Sequence, residues 1–415
     1  MISAWTSTPD GKTLKANHDL DQLWTTLVEF QTVDQWSANP SRLLVPQSYG
    51  DGRSIVAVPL TVDGTRVAGP SSRLTFGTGN ETGAFAALNG RIVLSEETRR
   101  SHIWGLPIDR RGAAAGTRTQ ITSNTAGEEY PAVSRDGEKL AYISVRANGK
   151  RLFWRDLSTG HDTEVSDDGY WLITPVFSFD GTRLMYTRYP FRESWRASIY
   201  EAQLSNGGIG ERWGEEKWSW LFDWAPDGST LLMWHLPSSY DPSHLDQRSF
   251  PILQLDLHSL STTTFLKDAE YGVAGARFSH DGRWVAFSAA KDDYARVAIV
   301  PFRKAQVPRG EWNVITEPDL DSRPVHERPP AFSFNDRVLF FTSRRDGFRC
   351  LWAQPLRPDM HPDGGAFAVH HFHQLNDSLQ GLTVGPTKIF FDVQETKGNI
   401  WLLEPRSTAP QPLQQ

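Results

Sequence analysis

The stretch FSFDGTRLMYT, residues 177–187, returns as FSHDGRWVAFS at 278–288. Both open on Phe-Ser, carry Asp-Gly at the same offset and then run into large apolar residues. The unit recurs as VSRDGEKLAYIS (133–144) and WAPDGSTLLMW (224–234), and in worn form as FSFNDRVLFFTS (332–343). Near the start stands TSTPDGKTLKA (6–16). Weaker copies lack Asp-Gly: SANPSRLLVPQS (37–48), AALNGRIVLSE (86–96) and TVGPTKIFFDV (383–393). Such self-similarity marks a repeat architecture.

The physics of one unit reads as strand, turn, strand. Asp bonds back to nearby backbone amides and Gly takes positive φ without a Cβ clash. The pairs Asp136-Gly137, Asp180-Gly181, Asp227-Gly228 and Asp281-Gly282 are therefore assigned as structural turns. The alternating run that follows is a strand buried on at least one face. After roughly ten residues comes a third short strand, often aromatic, and then a more polar fourth. The interval, mostly about 45–55 residues, is that of a four-stranded propeller blade. One such sheet cannot bury its own faces; stacked radially, each covers its neighbour.

The expected fold is thus all-β: a single propeller over residues 1–415, with eight four-stranded antiparallel blades. Six or seven blades with extra terminal strands is the alternative. Residues 1–30 are expected to help close the ring with the blade that contains 389–404, and 406–415 to be a disordered tail. A chain that begins almost on a repeat reads as cut from something larger.

Composition narrows the function. The 415 residues include 16 Trp and 22 Phe, as strands packed face to face require. The net charge of −6 argues against a nucleic-acid partner, which needs a clustered basic face. A single cysteine, Cys350, excludes an internal disulfide framework. No signal peptide is legible at the start, and no apolar run reaches the ~18 residues of a membrane span. The compartment stays unassigned, and a monomer is expected.

These units resemble the WD40-like repeat of the TolB family, shared by the propellers of prolyl-oligopeptidase-type enzymes. TSRRDGFRCLWAQPL (342–356), FAVHHFHQ (367–374) and KIFFDVQETKGNIWLLEP (388–405) resemble the carboxyl-terminal propeller of large bacterial serine/threonine kinases. Similar repeats occur in regulators with winged-helix heads. The resemblance implies a sensing or docking propeller. The kinase is missing: H-R-D, D-F-G and V-A-I-K do not occur. The nucleophile elbow G-x-S-x-G is absent too, so no serine hydrolase is expected.

The expected function is non-catalytic recognition of a protein, peptide or glycan through rim loops, with no cofactor. Long aromatic insertions supply the binding candidates Tyr189, Arg192, Trp195, Trp213, Trp218 and Tyr240, since exposed aromatics and Arg are typical interface anchors. Trp224 sits in a repeat core position and is read as buried. His371 and His373 are at i and i+2, on one strand face, and form a weak metal candidate that needs a third ligand. His361 and His326 are near in sequence. Cys350 is read as buried. The competing reading is an enzyme with a channel active site, a metal-dependent lactonase, lyase or hydrolase. Three or more acids or histidines converging on the channel would favour it; an aromatic and mixed polar lining favours binding.

Overall fold

The computed structural model describes residues 5–7, 14–16, 35–38, 41–49, 52–62, 66–77, 79–123, 127–146, 149–165, 170–190, 197–206, 210–213, 218–236, 250–292, 294–316, 319–320, 330–373 and 377–404. The chain divides into two compact units: Met1–Arg99 with Thr396–Gln415, and Arg100–Glu395. The expected tail at 406–415 lies outside the described residues.

In the larger unit five blades follow one another, each of consecutive antiparallel strands. Their innermost strands are Gly127–Val133, Tyr170–Phe177, Trp218–Trp224, Gly272–Phe278 and Ala331–Phe332. The fourth blade carries a fifth short strand, Asp319–Leu320, paired to Tyr294–Pro301. The expectation of eight blades, and of six or seven, is therefore corrected: the described structure has five blades of four strands. The space between the fifth and the first is filled by part of a larger sheet. There Asp377–Val384 pairs with Lys388–Leu403, which pairs with Ile92–Pro107, which pairs with Thr119–Gln120. The weaker copy AALNGRIVLSE leads into this seam through Ile92–Pro107. Strands at 5–7 and 14–16 pair with each other and are not described partners of the seam.

Local hydrogen bonding explains why each unit folds as it does. In the second blade Ser178 Oγ donates to Asp180 Oδ1 at 2.6 Å, and Asp180 Oδ1 accepts the Thr182 amide at 3.1 Å. Ser178 Oγ also accepts the Arg183 amide at 3.0 Å, so one hydroxyl staples both arms of the turn. Ser279, Asp281 and Trp284 repeat this in the fourth blade, and Ser134, Asp136 and Lys139 in the first. Asp227 takes the same part toward Ser229 in the third. Hydrogen bonds from the Ser178 and Thr182 hydroxyls hold the Asp180 carboxyl down at about 2, so the turn stays charged over the ordinary pH range.

The glycines close the turns: Gly137, Gly181, Gly228 and Gly282 have φ of 76°, 65°, 73° and 71°. Gly137 has a second constraint, because a Cβ there would lie 2.8 Å from Pro386 Cδ, whereas Gly228 faces open space. Gly228→Ala is expected to cost about 1 kcal/mol, the left-handed strain alone. Gly137→Ala should cost about 2–3 kcal/mol, strain plus overlap with Pro386 in the turn between Asp377–Val384 and Lys388–Leu403. Urea midpoints of the two variants, measured side by side, check the ordering.

Packing between blades is apolar. Phe222, Trp234, Phe265, Val273 and Phe287 form one buried cluster across the third and fourth blades. At the seam Leu106, Phe340, Phe372 and Phe391 share another, drawing on the fifth blade and both closing strands. In the smaller unit Ser41–Tyr49 and Gly52–Pro59 pair as a hairpin over buried Leu44, Ile55 and Leu94.

Candidate binding site at the propeller axis

The Asp-Gly turns of the first four blades and the Asn-Asp turn of the fifth follow the inner strands at one end, around the axis. Residues from the inner strands of all five blades and from Asp377–Val384 line a cavity of about 160 Å³ there. Beside it a second hollow, about 310 Å³, shares Arg135 and His280 with the first. The residue just before the turn acid builds the mouth: Arg135, Phe179, Pro226, His280 and Phe334 in blade order.

Arg135 is the centre of this group. Its guanidinium carbon lies 4.1 Å from the Phe179 ring centre and 5.7 Å from that of Phe334. Both rings are solvent-exposed, 49% and 41%. Arg135 Nη1 donates to the His280 carbonyl at 2.9 Å, which ties the first blade to the fourth across the axis. Among the described residues no carboxylate stands within ion-pair distance of Arg135. Most of its five N–H donors are thus left for a ligand.

His280 is fixed from the fifth blade. There the repeat reads Asn-Asp where the others read Asp-Gly. Asn335 takes over the turn, accepting from Ser333 Oγ at 2.8 Å and from the Arg337 amide at 3.2 Å. Asp336 then sits at the glycine position with φ of 56°, a strained conformation for a side-chain residue. Its carboxylate accepts the His280 and Asp281 amides at 2.8 and 3.1 Å and lies 3.2 Å from His280 Nδ1. The departure from the repeat buys an inter-blade clamp at the mouth.

Deeper in the cavity, Asp223 and Arg277 lie 3.8 Å apart. Asp223 also accepts the Phe278 amide at 2.7 Å, again between blades. Burial pushes the Asp223 carboxyl up and pulls the Arg277 guanidinium down, each opposed by the other's charge. The inner strands reach these positions through bulges: register shifts fall between Glu129 and Ala132, Ile173 and Val176, Leu221 and Asp223, and Ala274 and Arg277. A bulge re-aims the side chains that follow it.

The binding candidates read from the sequence are elsewhere. Tyr189 stands on Arg183–Pro190, at the blade end away from the Asp-Gly turn, and stacks on Trp171 with ring centres 6.3 Å apart. Trp213 ends the strand Glu211–Trp213 and Trp218 opens Trp218–Trp224, at that same remote end. Arg192, Trp195 and Tyr240 lie outside the described residues. Trp224 is buried, as is Cys350. His371 and His373 come together around Asp346 at the remote end of the fifth blade, with Cys350 beneath; His361 is not among them, and His326 lies outside the described residues. The missed mouth residues had a signal, a position just before the turn that reads Arg, Phe, Pro, His and Phe in successive repeats.

No protein-family model matches the chain, and no curated protein matches it. Among solved structures it is similar to a putative TolB from Agrobacterium tumefaciens, at 16% identity over 72% of this chain and 99% of that one, with a TM-score of 0.48. TolB from Acinetobacter baumannii matches at 15% identity over 85% and 81%, TM-score 0.46. An oligogalacturonate lyase in complex with manganese matches at 15% over 86% and 97%, TM-score 0.41. The likeness is to TolB-like propellers, and at these levels it carries no argument about chemistry.

Proposed function

We propose that residues 100–395 are a recognition propeller whose axial mouth binds an extended peptide through an acidic side chain or terminal carboxylate. One observation carries this: Arg135, with donors to spare, is held between two exposed aromatic rings over a small cavity. The cavity of about 160 Å³ suits a single inserted group, and the adjoining hollow of about 310 Å³, which shares Arg135 and His280, leaves room for the residues that flank it. A guanidinium fixed by flanking rings offers a carboxylate two parallel hydrogen bonds with little ordering left to do. The smaller cavity holds one acid and one histidine, Asp223 and His280, and the two acids of the adjoining hollow are engaged within the protein, Asp281 by Ser279 and Arg283 and Asp336 by the His280 and Asp281 amides, which favours binding over channel catalysis. The reading also fits a docking region of a longer signalling protein, as the resemblance to kinase-borne propellers implies.

The test is fluorescence polarisation against labelled peptides that differ only in acidic residues. Acidic peptides should bind and neutral ones should not. Arg135→Ala should weaken binding by about 30-fold or more, the scale of an interface hot spot. Phe179→Ala should weaken it less. Equal binding by Arg135→Ala, or a preference for neutral peptides or acidic oligosaccharides, would refute the proposal.

A further inference from the structure

The geometry points to a four-ligand transition-metal site of the zinc class, formed by Asp346, Cys350, His371 and His373 at the end of the fifth blade remote from the axial mouth. One donor atom from each residue lies within 4.8 Å of all the others. Asp346 Oδ2 is 2.9 Å from His371 Nδ1 and 3.0 Å from His373 Nε2. Cys350 is buried below them, its Sγ accepting the Phe372 amide at 3.3 Å.

The rings are held in place from outside. His373 packs on Phe348, ring centres 4.8 Å apart, and His371 meets Trp352 edge-on at 6.3 Å. Two imidazoles, a thiol and a carboxylate suit zinc and the borderline metals after manganese; calcium and magnesium prefer all-oxygen shells. Ligand atoms around tetrahedral zinc stand about 3.4 Å apart, given bonds near 2.0–2.3 Å. The two Asp346–histidine contacts therefore need to open by about half an ångström, and any pair standing as far apart as 4.8 Å to close by about an ångström or more.

Without metal the cluster is a hydrogen-bonded group. Burial pushes the Cys350 thiol up to about 11, so it keeps its proton. The Asp346 carboxyl falls to about 2: burial raises it, and bonds from His373, Cys350 and His371 outweigh that. Binding of a divalent ion would displace the thiol proton to solvent and form the metal–sulfur bond, with both imidazoles neutral and the carboxylate ionised.

The position gives the site a purpose. Asp346 and Cys350 belong to the hairpin between Val338–Ser343 and Cys350–Pro355, and the histidines follow Phe367–His370. That outer strand is short, and its pairing slips register between Leu351 and Trp352. A metal would staple its end to the hairpin. All four ligands come from the protein, so the site is structural in type rather than open for catalysis.

The experiment uses the full chain, free of any histidine tag and stripped with chelator. Zinc should bind one-to-one by calorimetry and raise the melting temperature. Cobalt(II) should give the thiolate-to-metal charge-transfer band in the near ultraviolet. Cys350→Ser should abolish that band. His373→Ala, an exposed change that leaves the circular dichroism spectrum intact, should weaken zinc by about 100-fold or more. Substoichiometric zinc, no cobalt–thiolate band in the native chain, or unaltered affinity in the His371→Ala/His373→Ala double variant would overturn the proposal.

Discussion

Asp223→Ala is expected to destabilise the propeller by about 3 kcal/mol, the lower end of the cost of breaking a buried ion pair. The change leaves Arg277 without its counter-charge and the Phe278 amide without an acceptor. The lower end applies because the Arg277 side chain keeps 22% exposure toward the cavity, which softens the loss. Asp223→Asn keeps an oxygen for the amide but not the charge, and should cost less, about 1–2 kcal/mol. Urea unfolding of both variants at neutral pH checks this. Near-native stability of Asp223→Ala would mean that water in the cavity, and not Asp223, balances Arg277.

Phe391→Ala should cost about 3–5 kcal/mol, the range for deleting a fully buried phenyl ring. Phe391 has no exposed surface and stands on Lys388–Leu403, opposite Leu382. It meets Phe372 edge-to-face at 5.6 Å and shares a cluster with Leu106 of the other closing strand. The ring is thus a peg between two parts of the chain almost 300 residues apart. Loss of packing at this seam should make amide exchange rise first in 100–107 and 388–395, before the middle blades. Uniform loss of protection around the ring would show instead that the blades open as one unit.

The turn chemistry is local, because Ser178, Asp180 and Arg183 satisfy one another within six residues. Local bonds of this kind leave a motif in the sequence. Blade number does not, because it depends on which strands meet across the seam. The weaker copy at 86–96 feeds a 16-residue strand that pairs with one near the end of the chain. Sequence spacing alone gives no reason to prefer that partner.

The sites divide the same way. His371 and His373 announced themselves by their i, i+2 spacing, but Asp346 and Cys350 reach them from a separate hairpin. The aromatic insertions drew attention by composition, while the axial mouth is built from single residues of five repeats. Arg135 in VSRDG says nothing by itself; Phe179 and Phe334, one and four blades away, make it a clamp.

From the sequence alone came the all-β class, the repeating strand–turn–strand unit and the residues that close each turn, since these follow from hydrogen bonds and φ preferences spanning a few residues. Only the tertiary structure decided the blade count, the seam and the convergence of charges on the axis. Those depend on which apolar faces cover one another, a choice made by packing between segments that the chain order keeps far apart.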